Sequence, residues 1–379
     1  MRPFGKLPIV NIDSIPTPAL ILDKPRLIRN LDRMRSKAER SNVIFRPHVK
    51  THKSVEIGRL QFAGRVGPIT VSTLSEAEFF ADDGFRDITY AFPIAPDKLA
   101  RAAALARRID RLSLLFDHPR TLDAVESFAR DNGCVFDLWL KVDCGYHRAG
   151  VDPDDPASLD LALRSATSAS VLLHGFLTHA GHSYQASTRD EILSIAFEEI
   201  SVLQHFRRKF EDAGGRKGMA VSVGSTPTAA AVDSFEGADE VRPGNYVFFD
   251  AFQAAVGSST LDDAAALVLT EVVGVYPSQN KIMVDAGALA LSKDLGATHL
   301  GGRGYGVVLD LNRQQLPLEI FSLSQEHGQV HAHRDHALSV GDRLLIVPNH
   351  SCLTAALFDR YYVIAEGKVI DEWRPARGW

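Results

Sequence analysis

Between residues 43 and 242, short β-rich runs alternate with longer helical patterns, and this alternation limits the possible folds more than any other feature of the chain. Repeated βα units bury each strand beneath covering helices and build a parallel sheet. Eight candidate strands can be counted, at 43–45, 68–71, 88–92, 112–116, 136–142, 171–178, 220–223 and 240–242. Helical stretches such as 75–83, 96–108, 121–132 and 191–213 lie between them. Eight such units predict an α/β class fold, a TIM-type (β/α)8 barrel over residues 24–245.

From about residue 246 the pattern changes to β-runs without long intervening helices, at 246–249, 266–276, 281–284, 318–323, 343–347 and 361–364. That predicts a separate, mostly antiparallel β domain. Residues 17–23, before the barrel, also read as a strand that could pair with it, so the β domain is expected to comprise 1–23 and 246–379.

Active sites of such barrels sit where strands end and βα loops begin. His48 and Lys50 follow the first candidate strand, Thr73 the second, Asp143 and Arg148 the fifth, and His179 and Tyr184 the sixth. Gly224, Ser225 and Thr226 follow the seventh, and Arg242, Gly244 and Asn245 the eighth. Six strand ends therefore bring polar side chains or glycines to one mouth.

Lys50 lies in the basic segment Arg46-Pro47-His48-Val49-Lys50-Thr51-His52-Lys53. An amine in a dry site beside other cations has a lowered pKa and can condense with an aldehyde; the plain alternative is a solvated basic loop. Val223-Gly224-Ser225-Thr226-Pro227 precedes the run Ala229-Ala230-Ala231, so its backbone N–H groups sit where a phosphate binds. Pro243-Gly244-Asn245 supplies a second permissive loop after strand eight, and loops seven and eight are the favoured phosphate position. A reactive lysine and a phosphate cradle on one rim are what pyridoxal phosphate requires. His179 and Tyr184 could stack on its ring and bond its nitrogen, and Arg148 could meet its phenolic oxygen; each also reads as an ordinary core or rim residue.

His350-Ser351-Cys352 follows the apolar run 344–347. Residues two apart on an extended chain point the same way, so His350 and Cys352 could share one metal, and thiolate with imidazole suits zinc. Ser324-Gln325-Glu326-His327-Gly328 reads either as lining that site or as a β-turn.

A net charge of −5 gives no basic field for nucleic acid, and no run of 18 apolar residues spans a membrane. Residues 1–8 lack the apolar core of an export signal, so a cytoplasmic location is expected. Three scattered cysteines make no disulfide framework.

These motifs, together with Val71-Ser72-Thr73-Leu74-Ser75-Glu76-Ala77 and Pro243-Gly244-Asn245-Tyr246, resemble the family of D-serine dehydratase and D-threo-3-hydroxyaspartate dehydratase. That family belongs to the alanine racemase-like, fold type III pyridoxal phosphate enzymes, which also include D-threonine aldolase. The likeness runs almost the whole chain, to Arg377-Gly378-Trp379. It implies a head-to-tail homodimer, pyridoxal phosphate on Lys50, and zinc on His350 and Cys352. It further implies a cofactor pocket of His48, Arg148, His179, Tyr184, Gly224, Ser225, Thr226, Gly244, Asn245 and Tyr246, with Gln325 near the substrate. The implied reaction is dehydration of a D-β-hydroxy amino acid to a 2-oxo acid and ammonia. The aldolase branch carries an H-x-D metal pair, so Cys352 favours the dehydratases. The chain departs from the family pattern at Ala288, where a tryptophan is expected. Retro-aldol cleavage is the rival reaction. A non-catalytic pyridoxal phosphate carrier is the rival of another class, although a carrier needs neither the β domain nor the metal pair.

Overall fold

The structure, a computed structural model, describes residues 10–332 and 337–379. Residues 1–8, read above for the lack of an export signal, lie outside the described residues. The chain forms two compact units, one of residues 33–244 with 376–379 and one of residues 1–32 with 245–375. Two short strands come first, β1 (Val10–Asn11) and β2 (Ala19–Asp23), followed by helix α1 (Lys24–Arg40). The division between the units runs through α1 rather than at residue 24.

The larger unit is the parallel barrel. Its strands are β3 (Ile44–Phe45), β4 (Ile69–Val71), β5 (Asp87–Pro93), β6 (Arg111–Phe116), β7 (Phe136–Lys141), β8 (Val171–Leu177), β9 (Ala220–Val223) and β10 (Glu240–Val241). They pair in the order β3-β10-β9-β8-β7-β6-β5-β4, and a parallel bridge between His48 and Thr70 joins the last to the first. All eight strands expected from the sequence are present, with ends shifted by no more than one residue.

Helices α2 (Val55–Gln61), α3 (Leu74–Asp82), α4 (Leu99–Ala106), α5 (Pro119–Asp131), α6 (Pro156–Thr167), α7 (Arg189–Asp212) and α8 (Thr226–Ala231) follow successive strands. Local chemistry starts several of them: Ser54, Thr73 and Thr188 each accept an N–H from the first turn of the helix they precede, and proline stands in the first turn of α5 and α6. Thr73, noted above as a strand-end polar residue, is thereby a helix cap. Inside the barrel Leu115, Trp139 and Leu177 pack together. Buried Arg46 is paired with Glu240 and with Asp87, which also binds Arg111.

The second unit is β-rich. Strands β11 (Ala266–Tyr276), β12 (Lys281–Val284), β13 (Val307–Leu309), β14 (Gln315–Leu323), β15 (Gly328–Ala332) and β16 (Arg343–Val347) pair antiparallel in the order β11-β12-β15-β14-β13-β16. Because β16 also pairs with β11, these six close on themselves. Strands β17 (Tyr361–Ala365) and β18 (Lys368–Trp373), with β1 and β2, extend the sheet from β11, and β2 pairs antiparallel with β11 as its sequence suggested. Ile21, Leu267, Leu269, Leu345 and Val347 belong to its core.

Two expectations are corrected. The run 246–249 is not a strand: Asn245–Val247 is a 3-10 turn, because Phe248 and Phe249 both donate to the Asn245 carbonyl, at 3.0 and 2.9 Å. Residues 376–379 join the barrel rather than the β domain, with Ala376 N–H donating to the Lys53 carbonyl at 2.7 Å. No helix among the described residues is long and apolar enough to cross a membrane.

Candidate active site

Lys50 follows β3 in a short 3-10 turn, Val49–Thr51, started by His48. Its side chain is exposed, whereas Val49 and Thr51 on either side are buried. The turn is braced by the loop after β10: His48 N–H donates to the Pro243 carbonyl at 2.9 Å. A Cβ on Gly244 would come within 3.1 Å of the His48 carbonyl and 3.3 Å of Thr51 Oγ1. A bare backbone lets the eighth loop lie this close to the lysine turn without displacing it.

Gly224, after β9, has φ of +124°, and a Cβ there would meet the Arg242 nitrogen at 2.9 Å. His179, after β8, is tied to that loop, its ring Nδ1–H donating to the Gly224 carbonyl at 3.1 Å. Burial and the neighbouring cations Lys50 and Arg148 depress the His179 pKa well below its ordinary value. Burial, Lys50 and Arg242 do the same to His48. Two neutral imidazoles therefore stand among three cations. Arg148 is exposed and lies over the Tyr146 ring, 4.9 Å from its centroid, and Tyr146 meets His179 edge-on at 6.2 Å. Tyr184 is half-buried in the 3-10 turn Gly181–Gln185.

Behind the Gly224 loop runs a chain of hydroxyls. Ser225 Oγ lies 2.9 Å from Ser183 Oγ and 3.0 Å from Thr228 Oγ1, and Thr228 Oγ1 donates to Glu199 Oε1 at 2.8 Å. Thr226 and Ser225 are buried. Lys37 closes the far end of α8, donating to the carbonyls of Ala229, Ala230 and Val232 at 2.6 to 3.1 Å. Such fastening holds a loop in one shape.

Burial raises the Glu199 carboxyl to about 7, against the hydrogen bond from Thr228 and the charge of Arg242. A carboxyl raised in the folded state opposes folding once ionised, so its cost grows as pH rises from the ordinary value of 4.5 to about 7. The stability gained by Glu199→Gln is accordingly expected to be greater at pH 8 than at pH 5.5, by roughly 2 kcal/mol, as read by urea unfolding.

Three groups escaped the sequence reading. Arg242 was noted only as a strand-end residue, yet its guanidinium is buried, with Nε donating to Ser222 Oγ at 2.7 Å; burial lowers it to about 10. Lys141, the last residue of β7, is buried and lowered to about 8 by burial and by Arg148. Glu199 lies in the middle of α7, where a glutamate gives no signal.

The remaining expected residues belong to the β-rich unit. Gln325 is exposed in the β14–β15 turn, as the β-turn alternative had it, and its carbonyl accepts from Leu289 at 3.1 Å. Ala288 opens a short helix whose first N–H donates to the Ser324 carbonyl at 2.8 Å. Tyr246 is fully buried. The Asn245 amide donates to Asp250 Oδ2 at 2.7 Å and Ser351 Oγ at 3.0 Å, and lies 3.5 Å from Cys352 Sγ. Its side chain thus serves the start of the short helix Ser351–Ala355, which carries Cys352 in place of the extended segment its spacing predicted, while its Oδ1 is buried without a partner among the described residues. His350 Nδ1 lies 2.9 Å from Asp294 Oδ2. Burial disfavours a charged ring, but Asp294 and Cys352 outweigh it and raise the His350 pKa.

These residues fit the two groups the sequence called for. Gly224, whose backbone admits no side chain, the close-packed Gly244, the hydroxyl of Ser225 and a surplus of cations suit an anionic, phosphate-bearing aromatic aldehyde. With Nδ1 occupied by Asp294, His350 keeps Nε2 for a metal, and Cys352 adds a thiolate, a pair suited to zinc. Among the described residues no group of three or more His, Cys, Asp or Glu is placed to hold a metal.

Residues 22–251 match the family model of the alanine racemase N-terminal domain, and residues 265–364 match that of a serine dehydratase domain. The chain is 36% identical to the D-serine dehydratase of Dictyostelium discoideum, covering 97% of this chain and 98% of that one. The solved D-threo-3-hydroxyaspartate dehydratase of Delftia sp. HT23 superposes with a TM-score of 0.92 at 36% identity, over 97% of this chain and 100% of the other. The D-threonine aldolase of Filomicrobium marinum is more distant, at 26% identity and a TM-score of 0.85 over 98% of each chain. By sequence along nearly its full length and by fold, the chain belongs to the family of D-serine and D-threo-3-hydroxyaspartate dehydratases, lyases with an alanine racemase-like fold.

Proposed function

We propose that the protein is a pyridoxal phosphate- and zinc-dependent dehydratase that converts a D-β-hydroxy amino acid, such as D-serine or D-3-hydroxyaspartate, to a 2-oxo acid and ammonia. The observation that carries this reading is the barrel mouth, where Lys50 projects from a turn braced by Gly244 and shares its surroundings with Arg148, Arg242 and two neutral histidines. When bound, pyridoxal phosphate supplies an electron sink for charge developing at Cα, and zinc a Lewis acid for the departing β-hydroxyl.

The chain's own residues do the rest. Lys50 would hold the cofactor through its amine, and the same amine, when free, would take the proton from Cα of the substrate. Gly224, Ser225 and Thr226, with the Gly244-Asn245 backbone, bind the phosphate. Tyr184 would face the pyridine nitrogen, and His48 and His179, both neutral, would line the ring without adding charge. Tyr246 would complete the cofactor site, and Gln325 would lie near the substrate. His350 and Cys352 hold the metal. The released enamine takes a proton at Cβ and then adds water, giving the oxo acid and ammonia; D-serine would yield pyruvate. A metal-free form is known for a cysteine-to-alanine variant of a D-threo-3-hydroxyaspartate dehydratase 36% identical to this chain, which supports a metal role for the thiolate here. A head-to-tail homodimer in the cytoplasm completes the proposal.

D-threonine separates this reading from the retro-aldol one. Formation of 2-oxobutanoate is expected, and glycine with acetaldehyde would replace the proposal by the aldolase activity. Ranking D-serine, D-threonine and the 3-hydroxyaspartate stereoisomers by kcat/KM then identifies the preferred substrate.

A further inference from the structure

We infer that Asp294 is a positioning residue for the metal site, fixing the His350 ring with its proton on Nδ1 and its Nε2 free for the metal. The inference rests on the reading of His350 and Cys352 as zinc ligands and adds a residue that this reading does not require.

Asp294 stands 56 residues before His350, and its carboxylate is fully committed. Oδ2 lies 2.9 Å from His350 Nδ1, while Oδ1 accepts the Gly296 N–H at 2.7 Å. The backbone is held as well, because Asn349 Nδ2 donates to the Asp294 carbonyl at 3.0 Å and to the Gly304 carbonyl at 2.9 Å. Gly296 makes the tight approach feasible: its φ is +67°, and a Cβ there would meet Asn349 Cγ at 3.0 Å. The carboxylate is therefore aimed before any metal arrives.

An imidazole that donates Nδ1–H to a carboxylate presents Nε2 as a lone pair and becomes a more basic ligand, and such outer partners typically contribute 10- to 100-fold to metal affinity. The demand is greater where protein ligands are few, since each must then be correctly oriented without help from others. The alternative is that Asp294 only ties the 292–296 loop to residues 349–350. Charge and tautomer distinguish the two roles, because an asparagine at 294 keeps an acceptor oxygen for the Nδ1–H but lacks the negative charge.

The test compares wild-type protein with Asp294→Asn, Asp294→Ala and His350→Ala, in full-length protein loaded with pyridoxal phosphate. Zinc affinity is measured by competition with a chromophoric chelator, and the ligand field by the d–d absorption of the cobalt(II)-substituted protein. The expected result is a 10- to 100-fold weaker zinc affinity for Asp294→Ala, a smaller loss for Asp294→Asn, and a shifted d–d band with the thiolate-to-cobalt band retained. Should Asp294→Ala fail to fold, the near-isosteric Asn variant carries the decision. Unchanged affinity and spectrum in the Asp294 variants, with affinity lost in His350→Ala, would overturn the inference and leave the metal reading standing. Wild-type protein that takes up no zinc would overturn both.

Discussion

A Lys50→Ala variant is expected to lose the visible absorbance of lysine-bound pyridoxal phosphate and to turn over substrate more slowly by on the order of 10³-fold or more, since one side chain is both the covalent anchor and the base. The barrel holds a rival that makes this test decisive. Lys141 is buried and its pKa is lowered to about 8, which are the properties expected of a lysine nucleophile. Lys53 is a second control, three residues from Lys50 but paired with Glu76 at 3.1 Å. Absorbance spectra of Lys50→Ala, Lys141→Met and Lys53→Ala, each reconstituted with cofactor, decide among them. The band should vanish only in the first. Its loss in Lys141→Met with retention in Lys50→Ala would move the anchor to β7.

Stripping the metal should be nearly as severe for turnover and silent for the cofactor spectrum. Lewis-acid assistance to a leaving hydroxyl is worth several kcal/mol, so chelation, His350→Ala or Cys352→Ala should each slow dehydration by about 10³-fold while the visible band stays. With so few candidate protein ligands among the described residues, loss of one removes a large share of the affinity, and readdition of zinc should rescue the chelated protein but not the variants. Full activity in protein shown by elemental analysis to be metal-free would remove zinc from the mechanism.

The barrel was legible because most of its strands are short apolar runs followed by a polar residue or a glycine, a pattern that needs no long-range knowledge. Lys50, Gly224 and Gly244 could be placed for the same reason: each follows a strand. His350 and Cys352 were visible as a pair two residues apart. Asp294 was not, since only the folded β unit brings it to His350 across 56 residues. Glu199 was hidden because a helix of 24 residues carries many charges, and only packing reveals which one is buried. The run 246–249 misled because Tyr246, Val247, Phe248 and Phe249 are apolar enough for a strand, yet their burial is achieved in a turn governed by Asn245. Strands β15 and β18 escaped notice because they mix charged, polar or small side chains into weak alternation, and β13 because three apolar residues are too short a run to mark a strand.

Strand β2 has a consequence for how the protein is made. All five of its residues are buried, and it lies between β11 and β17, with Leu20 opposite both Val268 and Tyr361. A nascent chain elongating at about 5–20 residues per second would carry Ala19-Leu20-Ile21-Leu22 for on the order of half a minute before its second neighbour leaves the ribosome. Through that interval an apolar strand with unsatisfied edges is open to pairing with other chains. Slower synthesis after β2, or loss of chaperones able to shelter it, is therefore expected to lower the yield of folded protein by pairing this strand with other chains.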